Sequence, residues 1–192
     1  YLMENMSWFE EQLGDADGDY IIFDCPGQIE LFTHMPIIPE LIKVLQNLNF
    51  RLCGVYMMDS QFMVDAAKFI SGTMAALTVM TNLEQAHINI LSKIDLLPKS
   101  AKKQLDNYLE PDPITLLGEM DDDNRWNQKY RKLTEAVGTI IENYSLVRFY
   151  PLNVKDENSI SDIRITIDNM IQYGEEEDVR MKDFEEPDPD DE

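Results

Sequence analysis

The sequence predicts an α/β fold, a mostly parallel sheet flanked by helices. Two features carry that expectation. Four short apolar runs, at 20–23, 52–59, 87–95 and 145–154, lack a strict apolar–polar alternation, which is the pattern of strands covered on both faces. Between them lie amphipathic stripes at helical spacing, so successive strands are joined by crossovers that leave them parallel.

The elements follow in order. Leu2, Met6, Phe9 and Leu13 recur at spacings of four, three and four and predict a helix that Gly14 ends. In "YIIFDCPGQIE", residues 20–30, a strand opens with Tyr20, Ile21, Ile22 and Phe23, and Pro26 and Gly27 stop it. A helix follows Pro36 over 37–48, and "LCGVYMMD" is the second strand. Phe62, Ala66, Phe69, Thr73, Leu77 and Met80 share one face of the next helix, and "HINILSKID" is the third strand. Trp126, Tyr130, Leu133, Val137, Ile140 and Tyr144 form a further stripe. "SLVRFYPLNV" is the fourth strand, and Ile160, Ile163, Ile167 and Met170 mark a closing helix. The eleven methionines sit mainly on these stripes and read as core filler.

Composition bounds the rest. A chain of 192 residues suffices for about one domain with a substantial core. No apolar run approaches the roughly 18 residues of a membrane span, and Cys25 and Cys53 read as reduced intracellular thiols rather than a disulfide framework. The net charge of −21 argues against nucleic-acid binding through a basic surface. The tail 174–192 holds eleven acids against two bases, so −9 of that charge is concentrated there, and it is expected to stay disordered beside a domain spanning 1–173.

The chemistry is expected at strand carboxyl ends, where open α/β sheets bind ligands. Asp24 ends the first strand and Asp59 the second. In "LSKIDLL", Ser92, Lys93 and Asp95 form the pattern [NST]-K-x-D at the end of the third. A carboxylate at Asp95 accepts from both guanine N1–H and the exocyclic N2 amine, a two-point contact that adenine does not offer. The aliphatic stem of Lys93 can lie along the purine plane. Alone, such a short pattern is equally a surface turn with an ion pair; its order relative to the Asp-x-Pro-Gly-Gln turn and the final "FYPLNV" gives it weight.

Taken together, "FDCPGQIELFTH", "CGVYMMDSQFMVDAAKFISG", "LSKIDLL" and "YSLVRFYPLNVKDENS" resemble the GPN-loop GTPases, most of all their eukaryotic third paralogue group. The resemblance runs to about Gly174. It implies a P-loop NTPase-like fold binding GTP or GDP with Mg2+, and a dimer formed with a paralogous GPN-loop GTPase or with itself. It also implies a role in RNA polymerase II assembly and nuclear import, with polymerase subunits or assembly factors as partners, and a cytoplasmic location with shuttling to the nucleus. By resemblance Asp24 meets magnesium through a water, and Gly27 offers its N–H to the γ-phosphate. Gln28 matches the position that orients attacking water, Ser92, Lys93 and Asp95 bind the nucleotide, and Asn153 flanks the base. Asn153 reads equally as a turn residue, and Asp59 or Ser60 as a helix cap.

No G-x-x-x-x-G-K-[ST] and no Gly-Pro-Asn triplet occurs among the 192 residues. The expectation is a fold incomplete at its amino terminus, with those elements outside this sequence; a degenerate paralogue is the alternative. The chain alone is then expected to be inactive. A non-catalytic scaffold with a vestigial pocket stands as the second function. His34, His87 and the "EMDDDNRW" stretch read as packing, surface or a solvated turn, with no metal spacing. Leu31, Phe32, Met35, Ile37 and Ile38, directly after the turn at Gln28, are either core or interface; the expectation is that 31–41 contributes to a dimer contact.

Overall fold

In the computed structural model, residues 4–14, 19–110, 132–133, 135–140 and 147–175 are described. Three parallel strands make the sheet: β1 (Cys53–Asp59), β2 (Ala86–Ser92) and β3 (Phe149–Pro151), in that spatial order. β1 and β2 run in register from Cys53 opposite Ala86 to Asp59 opposite Ser92, and β2 pairs with β3 from Asn89–Phe149 to Leu91–Pro151. The helices are α1 (Met6–Leu13), α2 (Glu30–Thr33), α3 (Ile37–Asn47), α4 (Ala66–Leu83), α5 (Lys99–Lys102), α6 (Leu105–Leu109) and α7 (Glu157–Ile171). Residues 132–133 and 135–140 are also helical, so Leu133, Val137 and Ile140 of the expected stripe are placed, whereas Trp126, Tyr130 and Tyr144 lie outside the described residues. The acidic tail lies outside them from residue 176.

The apolar run of β2 is covered on both faces, as its lack of alternation requires. On one side α4 lays Phe69, Ile70, Ala76 and Leu77 against Met58, Leu91 and Phe149. Phe69 is fully buried at 0% exposure and stacks edge-on to Tyr108, with ring centroids 4.8 Å apart. On the other side Ile163 of α7 packs on Ile88 and Ile90. A third layer forms where Ile38 of α3 meets Val79 and Leu83 of α4, with Leu31 and Phe32 packed against them. Ile38 is thus buried in this chain's own core and Leu31 and Phe32 pack against it partly buried, while Met35 remains exposed.

Local chemistry sets the boundaries. Gly14 closes α1 at φ 57°, donating its N–H to Glu10. Residues 60–64 form a 3-10 turn capped by Asp59, and α4 begins only after Asp65, whose carboxylate accepts from the N–H groups of Ala67 and Lys68. Asp156 caps α7 through the N–H of Asn158, the device expected of the "DEN" triplet. Cys25 and Cys53 are both free thiols, and burial pushes the Cys53 thiol up to about 11, so it stays protonated.

One expected strand does not form. Residues 20–23 adopt no ladder, and Ile22 is 85% exposed. The segment is held instead by side chains. Tyr20 packs edge-on against Tyr173, at 5.1 Å, and Phe23 lies 6.1 Å from Phe9. An apolar run becomes a strand only where a neighbouring backbone takes its N–H and C=O groups. Here that neighbour is not found among the described residues. The strands at 87–95 and 145–154 are shorter than expected, because the turn at Lys93 ends β2 and only Phe149 to Pro151 pair with it. Among the described residues no helix is long and apolar enough to cross a membrane.

His87, on β2, presses so closely on Gly54 that a Cβ there would sit 2.7 Å from its Nδ1. Both ring nitrogens are shielded and unpartnered, and burial lowers the imidazole's pKa below its ordinary 6.5. The unfolded chain takes up this proton first as pH falls, so stability is complete above about pH 6.5 and declines below it. Thermal melts from pH 7.5 to 5.5 are expected to show that loss, with a slope of up to about 1.4 kcal/mol per pH unit. His87→Gln flattens the slope. Separately, Phe69→Ala is expected to cost about 3–5 kcal/mol in urea unfolding, because it opens a cavity at the centre of the α4 face.

Candidate functional site

Because all three strands are parallel, their carboxyl ends share one edge, and the chain leaves that edge three times. Asp59 ends β1, Ser92 ends β2 and Pro151 ends β3. Backbone bonds bind the second and third exits together: Leu152 N–H donates to Leu91 C=O at 2.9 Å, and Ile94 N–H donates to Leu152 C=O at 3.3 Å. Residues about sixty positions apart in sequence thereby meet.

Lys93 takes the left-handed conformation, φ 60° and ψ 32°, which disfavours a residue with a Cβ. Ser60, at 0% exposure, holds that turn by donating its hydroxyl to Lys93 C=O at 3.0 Å. The turn directs Lys93 Nζ to Asp59 Oδ2 at 2.7 Å. That hydrogen bond, with a second from Gln61 N–H, holds the Asp59 carboxyl below the usual carboxylate range. Ser92 donates to Met58 C=O at 3.1 Å, tying the end of β2 to β1. Its hydroxyl has a structural partner.

Asp95 follows in the 3-10 turn Ile94–Leu96, with its side chain 17% exposed. Its Oδ2 receives Lys155 Nζ at 2.8 Å, and this bond is the main cause of its lowered pKa. Lys155 comes from the loop after β3. Asn153 builds that loop: its Oδ1 accepts from Lys155 N–H at 3.0 Å, and its own N–H donates to Ser159 Oγ. The Ser159 hydroxyl donates to Pro151 C=O at 3.0 Å, anchoring the loop to the strand end. Asn153 is thus a turn residue in this geometry, in the loop that brings Lys155 to Asp95.

The structure brings Ser92, Lys93, Asp95 and Asn153 together. Asp24, Gly27 and Gln28 stand exposed on the segment before α2, and no hydrogen bond or ion pair joins them to those four among the described residues. Gln28 C=O accepts from Leu31 N–H at 3.1 Å, starting the turn into α2. Gly27 has open space where a Cβ would stand. The described residues hold no group of three His, Cys, Asp or Glu side chains fit to cage a metal. A single exposed Asp24 suits a magnesium ion carried by nucleotide phosphates and water, which needs only one or two protein carboxylates, and does not suit a resident metal.

Two residues, Lys155 and Ser159, and the pairing of Asp59 with Lys93 escaped the sequence reading. The only signal was positional, a lysine two residues beyond Asn153 in the final loop. Ser60→Ala leaves Lys93 C=O without its donor in a partly buried setting, and is expected to cost about 1–2 kcal/mol by urea unfolding.

Comparisons with known proteins bear on the family. Residues 1–173 match a family model described as "conserved hypothetical ATP binding protein". Curated relatives include GPN-loop GTPase 3 of Danio rerio, 47% identical over 180 residues, covering 94% of this chain and 63% of that protein. GPN-loop GTPase 3 of Xenopus tropicalis is 47% identical over 177 residues, covering 92% and 61%. The Mycosarcoma maydis GPN-loop GTPase 3 is 42% identical over 199 residues, covering 98% and 70%. The chain thus spans less than two thirds of the length of the two vertebrate relatives. Its strand-end motifs, parallel sheet and these matches together place the chain in the GPN-loop GTPase family.

Proposed function

We propose that this chain supplies the base-reading part of a GTP-hydrolysing switch, working with Mg2+ as a dimer with a paralogous GPN-loop GTPase or with a second copy. The observation that supports this best is the position of Asp95: a carboxylate with a small open face, at the carboxyl edge of a parallel sheet, beside Lys93. Two acceptor oxygens suit the paired N1–H and N2 donors of guanine, whereas adenine presents one donor and one acceptor on the same edge. The family model's description speaks of ATP; the relatives' names and this carboxylate favour GTP.

Each residue then has a defined task. Asp95 accepts from the base, the stem of Lys93 flanks the purine, and Ser60 fixes the left-handed turn that aims both. Ser92 holds the two strand ends in register. Asn153 shapes the loop along the base's other side. Magnesium, when bound with nucleotide, neutralises the phosphate charge that develops as the γ-phosphate leaves. Asp24 is proposed to hold it through a water, Gly27 to donate its N–H to the γ-phosphate and Gln28 to orient the attacking water. The 192 residues contain no P-loop sequence, and the tasks proposed for Asp95, Lys93 and Asn153 concern the base and not the phosphates. RNA polymerase II assembly and nuclear import are proposed as the setting, with polymerase subunits or assembly factors as clients.

Asp95→Asn is the test. It replaces a charged double acceptor with a group that presents one donor and one acceptor. In the full-length protein it is expected to weaken GTP binding roughly tenfold or more and to shift preference toward xanthine nucleotides. Titration with GTP, ATP and xanthosine triphosphate reads this directly. Unchanged GTP affinity overturns the base-reading role.

A further inference from the structure

The carboxylate assigned to guanine already has a partner. Lys155 Nζ sits 2.8 Å from Asp95 Oδ2, so one of the two acceptor oxygens is engaged before any base arrives. The pair is asymmetric. Asp95 is 17% exposed and its backbone is fixed, with Ile94 N–H bound to Leu152 and Lys102 Nζ reaching Asp95 C=O at 3.2 Å. Lys155 is 74% exposed, and only its backbone is pinned, by Asn153 Oδ1. One arm is therefore set in the fold while the other can swing into solvent without disturbing the core. Lys155 is the only cation whose side chain meets the Asp95 carboxylate among the described residues; Lys93 is turned aside to Asp59, and Lys102 binds the main chain.

We propose that Lys155 is a latch on the base site: it occupies the Asp95 carboxylate in the empty protein and must be displaced for guanine to bind. This rests on the base-reading role of Asp95. Apparent affinity is then reduced by the fraction of molecules in which the latch is closed. An ion pair this exposed closes only modestly, so the reduction is about two- to fivefold. Salt opens the latch, because screening weakens a solvent-exposed pair. Guanine binding therefore strengthens with ionic strength, opposite to the trend of a ligand held by its own charge.

Guanosine separates these effects because it carries no phosphate. Its dissociation constant is to be measured on the full-length GTPase by calorimetric or NMR titration, from about 50 to 500 mM KCl. Wild type is expected to bind more tightly as salt rises. Lys155→Met keeps most of the aliphatic stem and removes the charge; it is expected to bind about two- to fivefold more tightly at low salt and to lose the salt dependence. Lys155→Arg restores the charge and the wild-type trend. A Lys155→Met protein with unchanged or weaker guanosine binding overturns the latch. Asp95→Asn distinguishes the two levels. If it loses guanosine while Lys155→Met changes nothing, base reading stands and the latch falls; if it binds guanosine like wild type, base reading fails and the latch with it.

Discussion

Central placement of β2 is the constraint on which the rest depends. Among the described residues it is the one strand with partners on both edges, β1 on one side and β3 on the other, and both pairings are parallel. Parallel pairing forces each connection to cross a face of the sheet. α4 crosses between β1 and β2, and α7 packs on the opposite face after β3. The same geometry delivers three strand ends to one edge. Ile88 and Leu91, at 1% and 0% exposure, are thus both the anchor of the core and the foundation of the site.

Polar side chains near that edge do structural work before they do chemistry. Ser92 sews β2 to β1, Ser60 fixes the backbone of Lys93, and Ser159 ties Asn153 to Pro151. Each is a short hydroxyl that donates to a main-chain carbonyl at a strand exit, where a carbonyl would otherwise lose its ladder partner. With these bonds in place, two lysine–carboxylate pairs form side by side, Lys93 with Asp59 and Lys155 with Asp95. Both pairs lie at the surface, so they add little stability. Their consequence is to fix which charges meet a ligand and which are already neutralised.

The segment before α2 has the opposite character. Asp24, Gly27 and Gln28 belong to a stretch with no ladder, held by Tyr20 against Tyr173 and Phe23 against Phe9. β1 also leaves Val55 and Met57 exposed, at 44% and 57%. In this chain Ser92 and Asn153 stand at paired strand ends, and Asp24, Gly27 and Gln28 do not.

Much of the fold was legible because burial leaves a trace in the sequence. Apolar runs gave β1 and β2, although β1 alternates in burial and is covered on one face only. Helical stripes gave α1, α4 and α7, and Pro36 marked the start of α3. Gly14 ended α1 at a positive φ that the missing Cβ permits, and Asp156 capped α7 with its carboxylate. Ser92, Lys93 and Asp95 are close together in sequence, so their placement at the end of β2 was legible. What tertiary structure alone decided were contacts across long stretches of chain. Residues 20–23 have the composition of a strand, yet a strand exists only through a neighbour's hydrogen bonds, and among the described residues none pairs with them. Lys155 is sixty residues from Asp95, and nothing local to either predicts their pairing. Only the parallel register of β2 and β3, which brings the two loops to one edge, sets them 2.8 Å apart.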